Sequence, residues 1–239
     1  MRITKLLNNH VLLQVDQFFG DSIKLDSGMV LYIDTTTQNP RYATTQGVVV
    51  DIPDSLVCCK PKNGNALEWE TPLQIRPGDK VWFQYDALIT AIKEPSMHYV
   101  QDGKLYILVN YRWLYVAKRY WETYKEWQTI PLNGYCLCEP VYADEYPWLV
   151  EKYFSSILVV DKHVKIPNVV KVKHLAEPNT RYQDKVYSDD MTVKEGDLVL
   201  TVKHADIPLE YDLYRSFDAK NEIYRVQRRN MVAVIGIEE

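Results

Sequence analysis

The residue types able to do chemistry in this 239-residue chain are its five histidines, four cysteines and the Gly-Asp pairs at 78–79 and 196–197. Their spacing argues against catalysis. His10, His98, His163, His174 and His204 stand singly, and isolated histidines are by default surface or core residues. Cys58 and Cys59 are neighbours, which seldom form a structural disulfide, and with Cys136 and Cys138 they lack the paired spacing of a zinc site. Cys136 and Cys138 are expected to face opposite sides of one strand, a poor arrangement for a single metal. Asp79 and Asp197 each precede an apolar run and are expected to anchor turns. Asp189-Asp190 and Glu238-Glu239 read as solvated charge, and Arg225-Val226-Gln227-Arg228-Arg229 as a strand end and turn. No glycine-rich loop is present to cradle phosphate. The expectation is a protein that is not an enzyme and has no cofactor and no metal.

A different kind of chemistry, docking, is suggested by Gly28-Met29-Val30-Leu31. A glycine that frees the backbone is followed at once by three large apolar side chains. The run from Thr35 to Gln46 that comes next has no core pattern, and a polar segment of that kind cannot offset its own ordering entropy. Two readings stay open on the residues alone. Met29-Val30-Leu31-Tyr32-Ile33 is a buried strand before a long loop, or the triplet is held out for a partner.

Composition sets the outer bounds. The chain is 46% hydrophobic and 25% charged, enough for one large domain or two small ones. A net charge of -4 gives no nucleic-acid footprint. No apolar run has membrane-spanning length, and Met1-Arg2-Ile3-Thr4-Lys5 is no signal peptide. The cysteines read as reduced thiols of a cytoplasmic protein.

The elements that must position the triplet are short strands. Val11-Leu12-Leu13-Gln14-Val15, Gly47-Val48-Val49-Val50, Lys80-Val81-Trp82-Phe83, Leu88-Ile89-Thr90-Ala91-Ile92, Leu105-Tyr106-Ile107-Leu108-Val109 and Trp113-Leu114-Tyr115-Val116-Ala117 all read as β. Asn63-Gly64-Asn65 carries a hairpin signal between Val57-Cys58-Cys59 and Leu67-Glu68-Trp69. No helix longer than a turn or two is expected, apart from a short helical linker over residues 118–128. Closely spaced strands of this kind predict a small antiparallel barrel.

The order then recurs. Cys136-Leu137-Cys138-Glu139 restates the opening strand, and Ile157-Leu158-Val159 restates the triplet. Val169-Val170-Lys171-Val172 restates Gly47-Val48-Val49-Val50. Gly78 and Gly196, Tyr106 and Tyr224, and Trp113 and Met231 all stand 118 residues apart (196 − 78, 224 − 106, 231 − 113). The fold class expected is all-β, with two tandem barrels over residues 1–120 and 121–239.

Each half resembles the co-chaperonin (GroES-like) family, through the order of the opening strand, the Gly28-Met29-Val30-Leu31 signature, the Gly47-Val48-Val49-Val50 strand and the Gly78-Asp79-Lys80-Val81 turn. The match is fainter over residues 129–237, where Ser155-Ser156 stands in place of Ser27-Gly28. The resemblance implies an apolar mobile loop that docks on a GroEL-like chaperonin ring. It places that role on Gly28, Met29, Val30 and Leu31, and in the second half on Ile157, Leu158 and Val159. It further implies a homo-oligomeric ring that encloses unfolded clients while the chaperonin turns over ATP, with no nucleic acid or membrane as partner. A structural or assembly protein, for instance of a virus particle, that reuses such modules for interaction is the alternative.

Overall fold

A computed structural model describes residues 3–24, 27–34, 40–57, 71–153, 163–178, 181–182, 185–186, 192–210, 216–218 and 220–236. In chain order the first half contains β1 (His10–Val15), β2 (Ser22–Lys24), β3 (Val30–Tyr32), β4 (Gln46–Asp51), β5 (Lys80–Phe83), α1 (Tyr85–Lys93), β6 (His98–Gln101), β7 (Lys104–Asn110), β8 (Leu114–Trp121) and β9 (Glu126–Pro131). The second half contains β10 (Tyr135–Tyr142), α2 (Pro147–Tyr153), β11 (Lys165–His174), β12 (Arg181–Tyr182), β13 (Lys185–Val186), β14 (Leu198–Thr201), β15 (Ile207–Pro208), β16 (Tyr224–Gln227) and β17 (Met231–Ile235). The protein is mostly β. Seven strands form one antiparallel sheet in the order β6-β7-β1-β4-β5-β8-β9, and six form a second in the order β15-β16-β10-β11-β14-β17. The pairs β2-β3 and β12-β13 stand apart as two-stranded ribbons.

Alternation sets the register of the first sheet. Val11, Leu13 and Val15 face the core and lie opposite Val109, Ile107 and Leu105 of β7. A one-residue slip would turn this whole set to the other face. On β4, the backbone at Gly47 approaches its neighbours closely: a Cβ there would lie 3.0 Å from the Gln14 carbonyl oxygen and 3.0 Å from Val15 Cγ1. Each sheet has two edges among the described residues, so the barrels expected from the sequence are not seen to close.

Two further expectations are corrected. Residues 88–92 are helical, as part of α1, where a strand was expected. Ala87, Leu88 and Ala91 are the buried positions, the 3.6-residue period of one helix face, and Lys93 lies in the last turn where the helix dipole favours a cation. Residues 118–128 are not a helical linker but the arms and turn of the β8-β9 hairpin. The Tyr120 and Trp127 rings meet at 5.2 Å across it, and Trp121 Nε1 donates to Gln128 Oε1 at 2.8 Å. Cross-strand aromatic pairs stabilise a hairpin and leave a helix no advantage. Through β9, residues 126–131 belong by pairing to the first sheet.

The two sheets share five strands in one order. β7-β1-β4-β5-β8 corresponds to β16-β10-β11-β14-β17. Gly78 (φ +93°) donates its N–H to Val49 O at 2.8 Å, and Gly196 (φ +94°) donates to Val172 O at 2.7 Å. The return bonds, from Val49 N to Asp79 O and from Val172 N to Asp197 O, match as well. Val49 therefore stands where Val172 does, one residue away from the expected alignment. The 118-residue spacing holds at these turns but falls to 117 by β7 and β16: Tyr111 N donates to Asn9 O, Arg228 N donates to Gly134 O, and 228 − 111 = 117. Tyr224 thus occupies the place of Ile107 rather than Tyr106.

A buried seam joins the sheets. Trp82, Tyr115 and Val116 of the first pack with Leu137 of the second and with Leu209, Phe217 and Ile223 of the connection between β15 and β16. Trp82 meets Phe217 edge-on at 5.0 Å, and its Nε1 donates to Glu210 Oε1 at 3.0 Å and Ser216 Oγ at 2.9 Å. The indole's one polar atom is thereby satisfied in the apolar contact.

Candidate docking hairpin

β1 ends at Val15, and the chain leaves the first sheet through Phe18 and Phe19, which pack partly against its core. Phe18 O accepts Thr44 N at 2.9 Å, Gly20 N donates to Tyr42 O at 2.7 Å, and Phe19 bridges to Ala43. These contacts clamp the outgoing and returning chains at one point. Beyond the clamp, Ile33 N donates to Asp21 O at 2.8 Å, and β2 pairs with β3 in the register Ser22-Tyr32, Ile23-Leu31, Lys24-Val30. Gly28 has φ +84°, a left-handed conformation that glycine adopts without steric cost.

Exposure decides between the two sequence readings. Met29 is 59% exposed, Val30 and Leu31 are 45% each, and Tyr32 is 86%. Successive residues of a strand point to opposite faces, so exposure of Val30, Leu31 and Tyr32 together means that neither face of β3 is covered. The buried-strand reading is overturned: β3 forms, but outside the core. The structure thus places Gly28, Met29, Val30 and Leu31 on one projecting ribbon. Ile157, Leu158 and Val159 lie outside the described residues. The approach to them is described: α2 buries Leu149, with Trp148 and Val150 against the same cluster. Ala143 N donates to Val164 O at 2.9 Å, so the chain leaves and re-enters the second sheet at one place.

The residues considered for chemistry have structural occupations. Asp79 Oδ2 accepts Arg76 N at 2.9 Å, and its carboxylate takes Arg119 Nε at 2.9 Å and Nη2 at 2.7 Å. Asp197 Oδ2 accepts Lys194 N at 2.8 Å in the equivalent turn. Cys136 and Cys138 do not face opposite sides of β10. Residues two apart share a face, and both are buried in one cluster while Leu137 between them faces the seam. Burial pushes the Cys138 thiol well above its ordinary range, which makes it an inert packing group. His174 is pushed down by burial, and His98 Nδ1 lies 2.7 Å from Ala91 O. The basic run is not a free cationic surface. Arg228 is buried with Nη1 donating to Ala176 O at 2.8 Å, and the Arg225 guanidinium lies 3.9 Å from the centre of the Tyr115 ring. Asp189-Asp190 and Glu238-Glu239 lie outside the described residues. Among the described residues no group of three or more His, Cys, Asp or Glu is arranged to hold a metal ion, and no helix is long and apolar enough to cross a membrane.

No family model matches the chain, and no curated protein matches it.

Proposed function

We propose that the protein is a docking subunit built from two related β-modules, and that it acts as a co-chaperonin: a lid for a GroEL-like chaperonin ring, seated through the β2-β3 ribbon. One observation carries this reading. Met29, Val30 and Leu31 are solvent-exposed on a ribbon of their own, anchored at its base and covered on neither face. The shared strand order and the paired Gly-Asp turns support a tandem of two modules, each with its excursion between the opening strand and the strand that follows.

The energetics suit a reversible contact. Burying three such side chains gains roughly 1.5–3 kcal/mol each. Ordering a fully flexible loop would oppose this by roughly 1–2 kcal/mol per residue, but three residue pairs of the β2-β3 ribbon are already formed here. One ribbon then binds weakly, and several borne on one homo-oligomeric ring bind together through effective concentration. Such a lid detaches when the chaperonin changes state, releasing a client.

The test is co-elution with a chaperonin in the presence of ATP, together with the rate of ATP turnover. Wild-type protein is expected to co-elute and slow turnover. Val30→Asp is expected to abolish both while leaving unfolding unchanged within about 0.5 kcal/mol, as for a surface substitution. Co-elution that survives Val30→Asp and Leu158→Asp together would sink the docking mechanism.

A further inference from the structure

We propose that the cleft where the two sheets meet binds a small molecule made of one carboxylate on an apolar body, and that Arg225 holds the carboxylate. The proposal goes beyond docking and does not depend on what the β2-β3 ribbon binds. Strand register places the arginine. Tyr224 and Val226 of β16 turn into the core of the second sheet, so Arg225 between them faces the seam. It lies opposite Leu137 on β10 and Ile207 on β15. Its guanidinium reaches across to the Tyr115 ring of the first sheet at 3.9 Å, with the Tyr135 ring at 5.7 Å.

That position leaves a positive charge without a counter-charge. Arg119 has Asp79, and Arg228 has the Ala176 carbonyl. Arg225 forms no ion pair among the described residues, and its Nε is buried with no acceptor. Stacking on tyrosine recovers part of what a half-buried guanidinium loses on leaving water, but it supplies no acceptor for the N–H groups. Buried polar groups are nearly always paired, so an unpaired one beside a cleft marks where a ligand's acceptor belongs.

The cleft has the size and walls for such a ligand. It encloses about 290 Å³, and Phe83, Tyr115 and Leu209 line it beside Arg225 and give it apolar surface. Small-molecule pockets run from roughly 300 to 1,000 Å³, so the occupant is smaller than a drug-sized molecule. Two carboxylates, Asp86 and Glu210, also line the cleft, but each already has its partners. Glu210 accepts from Trp82 Nε1, the Ser216 hydroxyl and the Ser216 and Phe217 N–H groups. Burial lowers the Lys118 pKa while Asp218 and Glu210 oppose that shift, so Glu210 has a cationic neighbour as well. Asp86 accepts from the Gln84 amide and sits in the first turn of α1, where the helix dipole favours a negative charge. Arg225 is thus the one charge lining the cleft that lacks a partner, and its planar fork suits a carboxylate. A phosphate dianion would bring a second negative charge against Asp86 and Glu210; a monocarboxylate does not. Tyr115 comes from the first sheet and Leu209 from the β15-β16 connection, so the ligand's body touches both modules. Binding of that kind adds to the stability of the folded pair.

The test is titration of the full chain with sodium benzoate at constant ionic strength, followed by NMR at the Arg225 Nε–Hε signal and by the thermal midpoint. Benzamide is the neutral match, benzylamine the cationic one, and inorganic phosphate carries the second negative charge. Benzoate is expected to shift the signal along a saturating curve, to raise the thermal midpoint, and to bind about tenfold or more tightly than each of the other three, as a charge-assisted hydrogen bond implies. Arg225→Gln is expected to weaken benzoate binding about tenfold or more with the circular dichroism spectrum unchanged. Arg225→Lys is expected to lose nearly as much, because a point charge cannot grip both carboxylate oxygens in one plane. Absence of saturation by benzoate, benzylamine or phosphate bound as tightly as benzoate, or full benzoate affinity in Arg225→Gln would overturn the proposal. Should Arg225→Gln fail to fold, the wild-type comparison of benzoate with benzamide still tests it, and equal binding of the two would overturn it.

Discussion

Asp79→Ala is expected to be among the most damaging single substitutions in this chain, and its counterpart Asp197→Ala mild. The same Gly-Asp turn occurs in both sheets, but its carboxylates have different company. Asp79 is 2% exposed and is gripped by Arg119 through two bonds of 2.9 and 2.7 Å, while Arg119 is itself only 14% exposed and donates further to Gln74 O at 2.7 Å. Gly236 stands at the place that corresponds to Arg119 in the second sheet. Asp197 is half-buried, with the backbone bond from Lys194 N. Removing one partner of a buried ion pair leaves the other charge uncompensated, at a cost of about 3–5 kcal/mol. Loss of the turn bond at Asp197 costs about 1–2 kcal/mol. Against a total stability of about 5–15 kcal/mol, the first loss is severe. In urea, with a slope of about 2 kcal/mol/M, Asp79→Ala should lower the midpoint by about 2 M and Asp197→Ala by less than about 1 M. Asp79→Ala combined with Arg119→Met should recover most of the deficit, because no lone charge remains. Equal midpoints for the two alanine variants would refute the reasoning.

Three other outcomes follow from contacts already described. Gly47→Ala forces a Cβ to within 3.0 Å of the Gln14 carbonyl and should destabilise by about 1–3 kcal/mol, read as a lower thermal midpoint. Trp82→Phe keeps much of the apolar contact with Phe217 but removes the N–H that reaches Glu210 and Ser216, and should cost about 1–2 kcal/mol by urea unfolding; no change would show that the seam is held by packing alone. Burial opposes ionisation of Asp218, but hydrogen bonds from the Asn221 side chain and the Asn221 and Lys220 N–H groups, with Lys173 nearby, outweigh it and lower its pKa to about 2. The folded carboxyl is thus the stronger acid, so its contribution is complete above pH about 4 and is lost as pH falls towards 2. Stability of the wild type should drop more steeply across that window than that of Asp218→Asn, and a carboxyl titration at position 218 near pH 4 would contradict the assignment.

Much of the fold is legible where a local pattern has one solution. Alternation of Val11, Leu13 and Val15 with their neighbours marks a half-buried strand, and Pro77-Gly78-Asp79 marks a turn whatever surrounds it. Residues 88–92 mislead because Leu88-Ile89 and Ala91-Ile92 read equally as a short apolar strand. The helix wins through Ala87, Leu88 and Ala91, which reach the core only at the helical period. The hairpin over 118–128 misleads in the other direction, since a charged and aromatic stretch shows its β character only when Tyr120 meets Trp127 across the turn. The one-residue drift from 118 to 117 is likewise invisible in spacing, because it is fixed by which carbonyl Arg228 N reaches.

For the candidate site, the residues themselves state that three large apolar side chains follow a permissive glycine beside a polar run. That is a matter of covalent order and side-chain size, and no neighbour alters it. Whether those side chains are buried depends on which surfaces the rest of the chain brings near them. The clamp at Phe18, Gly20, Tyr42 and Thr44 carries β2 and β3 beyond the first sheet, and that clamp joins residues more than twenty positions apart. Burial is a property of the assembled surface, so only the tertiary structure could turn an apolar triplet into an exposed one.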